Sequence, residues 1–184
     1  MGVLGNRRRN VGLGVACAVV LLHGTAVQAG RSEASPRTPD ESAARIRVHD
    51  AAIEWPLQRA INGAHEWLEE PACQEVFSDF TDLFGTLLSD VLAGRGLTGQ
   101  DHLGRLAFWD GSHRRQCRTL GVSALTAPGH HIIYICPVQF RRLSRDPSRA
   151  RAVVIHELLH SLGLGENPPS SREITAQVLK RCRS

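Results

Sequence analysis

His156-Glu157-Leu158-Leu159-His160 sets two imidazoles four residues apart, with a carboxylate beside the first. On a helix, residues at i and i+4 share one face about one turn apart, so both rings can reach a single ion. Neutral imidazole is a good ligand for Zn2+, which accepts mixed nitrogen and oxygen donors in a tetrahedron. Glu157 then stands where it can take a proton from a metal-held water. Val153, Val154, Leu158, Leu159 and Leu162 supply a buried face for this helix, and Pro147 suits its first turn. The expected cofactor is Zn2+, with His156 and His160 as ligands and Glu157 as general base.

Two imidazoles leave the ion one protein ligand short, and two carboxylates follow them, Glu166 and Glu173. Glu166 can return to the ion through a turn at Gly163, where glycine tolerates a positive φ. Glu173 can reach it only if the last helix packs antiparallel on the histidine helix. Ser170-Ser171-Arg172-Glu173 also reads as a capping box, which would hold that carboxylate at the helix start. The eleven residues from His156 to Glu166 resemble the metzincin signature H-E-x-x-H-x-x-G-x-x-H in its matrixin form, with Glu166 at the third-histidine position. That resemblance implies Glu166 as third ligand and a metallopeptidase acting on a peptide or protein substrate. It departs from the family at that position and in two further respects: the only methionine is Met1, so the Met-turn is absent, and only 18 residues follow Glu166, fewer than that family's C-terminal subdomain needs. Resemblance to minimal thermolysin-like gluzincins implies Glu173 as the ligand instead. The order of preference is Glu166, then Glu173. The stretch from Gly163 to Cys182 also resembles a group of uncharacterised exported bacterial proteins, which implies no substrate.

Two other function classes compete with a peptidase. One is a secreted binding or structural protein that keeps zinc without turnover, and the other is a metal-dependent amidase. No G-x-S-x-G, P-loop or dinucleotide fingerprint is present. His130, His131 and Tyr134 are secondary candidates for stabilising an oxyanion. A solvated strand end and a strand face are their plainer roles.

These groups must be carried by an exported domain. Arg7-Arg8-Arg9, an apolar stretch from Val11 to Val27 and the small residues Val27 and Ala29 spell a secretory signal peptide over 1–29. Residues 30–41, rich in Ser, Pro, Thr and charge, read as a flexible leader. A single zincin-like metallopeptidase domain is expected over 42–184. Removing the signal takes Cys17 with it and leaves Cys73, Cys117, Cys136 and Cys182, which imply two disulfides in an oxidising, periplasmic or extracellular compartment. Loops of similar size favour Cys73–Cys117 with Cys136–Cys182. The chain carries 22 basic and 18 acidic side chains, and the signal accounts for three of the basic ones, so the remainder is nearly neutral. Such a body lacks the broad positive field of a nucleic-acid binder. It also has no second apolar run long enough for a stable membrane span after signal removal.

The periodicity predicts an α+β fold with a helical N-terminal half, a small β-sheet, the H-E-x-x-H helix and a C-terminal helix. Helix is expected over 43–70, with Pro56 in a first turn, and again from Pro71 through Ala93. Strands are expected at Arg105–Trp109 and His131–Cys136, with a short extended piece between Gly121 and Gly129. Helices follow at Val138–Leu143, Pro147–Leu162 and Ser171–Arg181.

Overall fold

The computed structural model describes residues 44–183. The expected signal peptide and leader lie outside the described residues. The rest is α+β, with seven α-helices around one small mixed sheet among the described residues. Its strands are β1 (Arg45–Arg47), β2 (Ala107–Asp110), β3 (Ala124–Leu125) and β4 (Ile132–Ile135), in the order β1-β2-β4-β3. β1, β2 and β4 run parallel, while β3 pairs antiparallel with β4 and forms an edge. Alternation turns Phe108, Ile133 and Ile135 into the core.

Asp50 starts α1 (Ala51–Trp67) by accepting the Ala52 N–H. Ile53, Leu57, Ala60, Ile61 and Ala64 recur at helical spacing and form its buried face. Pro56 is thus the sixth residue of this helix rather than part of its first turn, and the helix forgoes one backbone bond there. The residues before Asp50 form β1, not helix. That strand is missed by periodicity because it has three residues, two of them exposed arginines.

The stretch from Pro71 to Ala93 also departs from expectation. It splits into α2 (Pro71–Gln74), a 3-10 turn over Glu75–Ser78, a loop, and α3 (Leu88–Gly94). The Asp82 carboxylate accepts the N–H groups of Phe84 and Thr86, a local alternative to helical bonding. The apolar stripe consequently divides. Val76, Phe77 and Leu88 are buried, whereas Phe84 is 93% exposed. A further helix, α4 (Gly99–Gly104), begins at a capping box between Thr98 and Asp101.

Three helices close the chain: α5 (Pro137–Leu143), α6 (Pro147–Ser161) and α7 (Ser171–Cys182). Asp146 caps α6, and Pro147 occupies its first turn. From Val154 to Leu162 every residue of this segment is buried, because α1, α5, α7 and β3 surround it. α7 lays Ile174 and Val178 against the core.

The two disulfides are Cys73–Cys182 and Cys117–Cys136, which corrects both expected pairings. α7 carries Cys182 to α2, where Cys73 lies. Parallel pairing sets Asp110 at the end of β2 beside Ile135 at the end of β4, so the loop after β2 delivers Cys117 to Cys136. Loop size said nothing about either contact. No helix among the described residues is long and apolar enough to cross a membrane.

Candidate metal centre

His156 and His160 stand one turn apart on α6, and both are buried at 5% exposure. Their Nε2 atoms lie 3.0 Å from each other. Glu166 Oε1 completes a triangle, 3.5 Å from His156 Nε2 and 3.3 Å from His160 Nε2. These three residues are the group of metal-capable side chains among the described residues.

The turn that returns Glu166 depends on Gly163. Its φ is +119°, a value that side-chain-bearing residues rarely adopt, and a Cβ there would lie 2.9 Å from the Asp82 Cβ. The Gly163 carbonyl accepts the Leu83 N–H at 3.1 Å, so the loop before α3 buttresses the turn. The next residue, Leu164, takes the Nδ1–H of His160 on its carbonyl at 2.7 Å. A carbonyl can only accept, so the proton of neutral His160 sits on Nδ1 and the Nε2 lone pair faces inward. His156 Nδ1 lies 3.0 Å from the Thr175 hydroxyl, which can accept its proton in the same way. Burial, and then the neighbouring His160, lower the His156 pKa to about 3, so its ring is neutral at ordinary pH.

Glu157, the residue after His156 on α6, is also buried and lines the same cleft as the triad. Its pKa is pushed up to about 8, chiefly by desolvation and then by Glu166, against a hydrogen bond from the backbone of Thr126 that lowers it. Its Oε2 has no hydrogen-bond partner. A buried, unpartnered carboxyl oxygen is costly unless something else compensates it.

These features fit a metal ion. Three electron-rich atoms converge with no protein donor between them, beside an orphaned carboxyl oxygen. Tetrahedral Zn2+ at its usual nitrogen and oxygen distances holds neighbouring ligand atoms ~3.3 Å apart, close to all three sides of this triangle. His156, His160 and Glu166 are the residues that would hold it.

Glu173 is placed elsewhere. Its Oε2 accepts the Ser170 N–H at 2.8 Å and the Ser170 hydroxyl at 2.7 Å, and Ser170 Oγ accepts the Glu173 N–H in return. The capping box therefore forms, and it lowers the Glu173 pKa. His131 packs edge-on against His102, and Tyr134 against Trp109. Neither joins the triad.

A cleft of about 960 Å3 opens over the triad. β3 (Ala124 and Leu125) lines one side, and Thr175, Ala176 and Leu179 of α7 line another. Thr175 and the Leu164 carbonyl were not legible as partners of the two histidines. Neither has a motif, and only the packing of α7 and the Gly163 turn brings them in. No family model, curated protein or solved structure matches the chain.

Proposed function

We propose that this chain is an exported zinc-dependent peptidase, with His156, His160 and Glu166 holding the ion and Glu157 as general base. The observation that carries the reading is the triangle of two inward Nε2 atoms and one carboxylate oxygen beside the buried Glu157 carboxyl. Zinc bound there supplies Lewis acidity, polarising a carbonyl and lowering the pKa of a coordinated water toward ~7. Glu157 takes the proton of the attacking water and later returns it to the leaving amine. Thr175 and the Leu164 carbonyl fix the tautomer and direction of the imidazoles, so that each Nε2 is aimed at the ion.

A peptide substrate is favoured over other amides by β3. This edge strand borders the cleft and has one side without a strand partner among the described residues, so an extended peptide can add to it by main-chain hydrogen bonds. The two disulfides agree with an oxidising compartment and hence with export.

The test is zinc content and cleavage of an unbiased peptide library by the same preparation. One zinc per chain and cleavage are expected from the parent. Glu157→Gln should keep the zinc and lose cleavage, because the amide resembles the carboxylate in shape but cannot take the proton. A parent that binds zinc but cleaves nothing would leave the metal site standing and end the peptidase reading.

A further inference from the structure

The sheet face turned away from the core carries a second set of groups that the metal centre does not use. Register aligns Arg47 of β1, Trp109 of β2 and Tyr134 of β4 across three strands, with Leu125 of β3 beside Tyr134. Trp109 is 38% exposed and meets the Tyr134 ring edge-on at 6.3 Å. The Arg114 guanidinium lies 3.7 Å from the centre of the Tyr134 ring. Arg45 on the same face of β1, and Arg115 and Arg118 in the loop after β2, are also exposed. None of these five arginines has an ion-pair partner among the described residues. Asp110, the acid at the end of β2, is tied to Ser112 and lies near His49 and His113.

Arg45, Arg47 and Arg114 therefore put positive charge without an ion-pair partner among the described residues on this sheet face, and Arg115 and Arg118 follow in the adjoining loop, in a body whose overall charge is close to balanced. Soluble surfaces ordinarily intersperse the two signs, and a single-sign field beside exposed aromatic groups has the character of a binding surface. We propose that this face binds an acidic oligosaccharide bearing carboxylate groups. A guanidinium fork matches a carboxylate in two parallel hydrogen bonds, and the exposed indole offers its face to the C–H side of a sugar ring. The four strands span ~14 Å at the usual interstrand spacing, a length suited to a short oligosaccharide. Single-stranded nucleic acid fits less well, because it needs successive open rings for its bases, whereas Arg114 already covers Tyr134 and leaves Trp109 alone. A lipid surface fits less well because the face is a sheet without an apolar helix stripe to immerse. The loop that supplies Arg114 continues through Gln116 and Gly121 to the cleft, so the bound sugar chain would lie beside it. The site does not depend on the metal reading.

The test is calorimetric titration of the purified exported chain with trigalacturonate, set against maltotriose, short oligodeoxythymidylate and phosphatidylglycerol vesicles. The acidic trisaccharide should bind and neutral maltotriose should not. Arg47→Glu and Arg114→Glu, both on exposed side chains, should each weaken binding about tenfold or more. Trp109→Ala should weaken it too, and Trp109→Phe should restore part of the loss, with far-ultraviolet circular dichroism confirming that each variant is folded. Absence of trigalacturonate binding would overturn the proposal, as would binding indifferent to both charge reversals. Tighter binding of oligodeoxythymidylate or vesicles, lost in the same variants, would overturn the sugar as occupant.

Discussion

Thr175 Oγ1 lies 3.0 Å from His156 Nδ1, so the last helix holds a ring on α6 at the atom opposite its inward-facing Nε2. Such a partner fixes both tautomer and ring direction, and its loss typically costs a metal site about 10- to 100-fold in affinity. Thr175→Val keeps the shape and removes the hydroxyl. It should retain the fold, and zinc affinity measured by competition with a chromophoric chelator should drop by about that factor. Unchanged affinity would show that His156 needs no support from α7.

How much of this was legible beforehand follows from sequence distance. His156, Glu157 and His160 share one turn, and Glu166 is returned by a glycine turn, so spacing alone exposes the group that the structure assembles. The strands at β2 and β4 and the helices α5, α6 and α7 likewise announce themselves by composition and caps. The Thr175–His156 contact and both disulfides rest on tertiary packing, which spacing does not report. The segment after Pro71 misled for a different reason. Its apolar residues have helical spacing, yet Asp82 takes two backbone N–H groups and leaves Phe84 in solvent.

Glu166 and Glu173 should respond unequally to alanine. Glu166→Ala removes one corner of the triangle, and zinc affinity should fall by orders of magnitude with little change in the fold of the metal-free chain. Glu173→Ala removes half of a capping box and should lower stability modestly while the zinc stays. Metal analysis and denaturant unfolding of both variants check this. Zinc loss in Glu173→Ala with retention in Glu166→Ala would reverse the assignment.

His102 gives the fold an acid sensitivity of known sign. It is 1% exposed, and its Nε2 lies 2.9 Å from Ser161 Oγ, whose own proton goes to the Leu158 carbonyl at 2.7 Å. The imidazole Nε2–H is therefore the donor in this pair. Burial first, then the neighbouring His131, Arg95 and Arg105, lower its pKa from 6.5 to about 4, so the folded ring is neutral at ordinary pH. The unfolded chain takes up this proton first as pH falls. His102's contribution is thus complete above pH 6.5 and is lost as pH falls toward about 4. The full effect is at most about 3 kcal/mol. Urea unfolding across this range should show a shallower loss in His102→Gln than in the parent. His156 is present in both chains, so its share cancels in the difference. Equal slopes would mean that His102 is not neutral in the folded chain.

The disulfides should differ in what they hold. Cys73–Cys182 spans 109 residues and ties the end of α7 to α2, while Cys117–Cys136 spans 19 and pins the loop beside β3. In the chain-entropy model the longer closure is worth ~5 kcal/mol and the shorter ~3 kcal/mol, so removing the first should destabilise more. Ile174 and Val178 remain buried, and Asp79 still pairs with Arg181 at 2.6 Å, so α7 has other anchors near Thr175. The Cys73→Ser/Cys182→Ser chain should therefore unfold at lower denaturant yet still bind zinc, more weakly than the parent because Thr175 is less firmly placed. The Cys117→Ser/Cys136→Ser chain should lose less stability and keep parental zinc affinity, since neither histidine partner, Thr175 of α7 nor the Leu164 carbonyl, belongs to that loop. Peptide mapping of the unreduced parent should link Cys73 to Cys182 and leave no free thiol among the four. A Cys136–Cys182 link would overturn the order of both effects, because α7 would then be tied to the end of β4 instead of to α2.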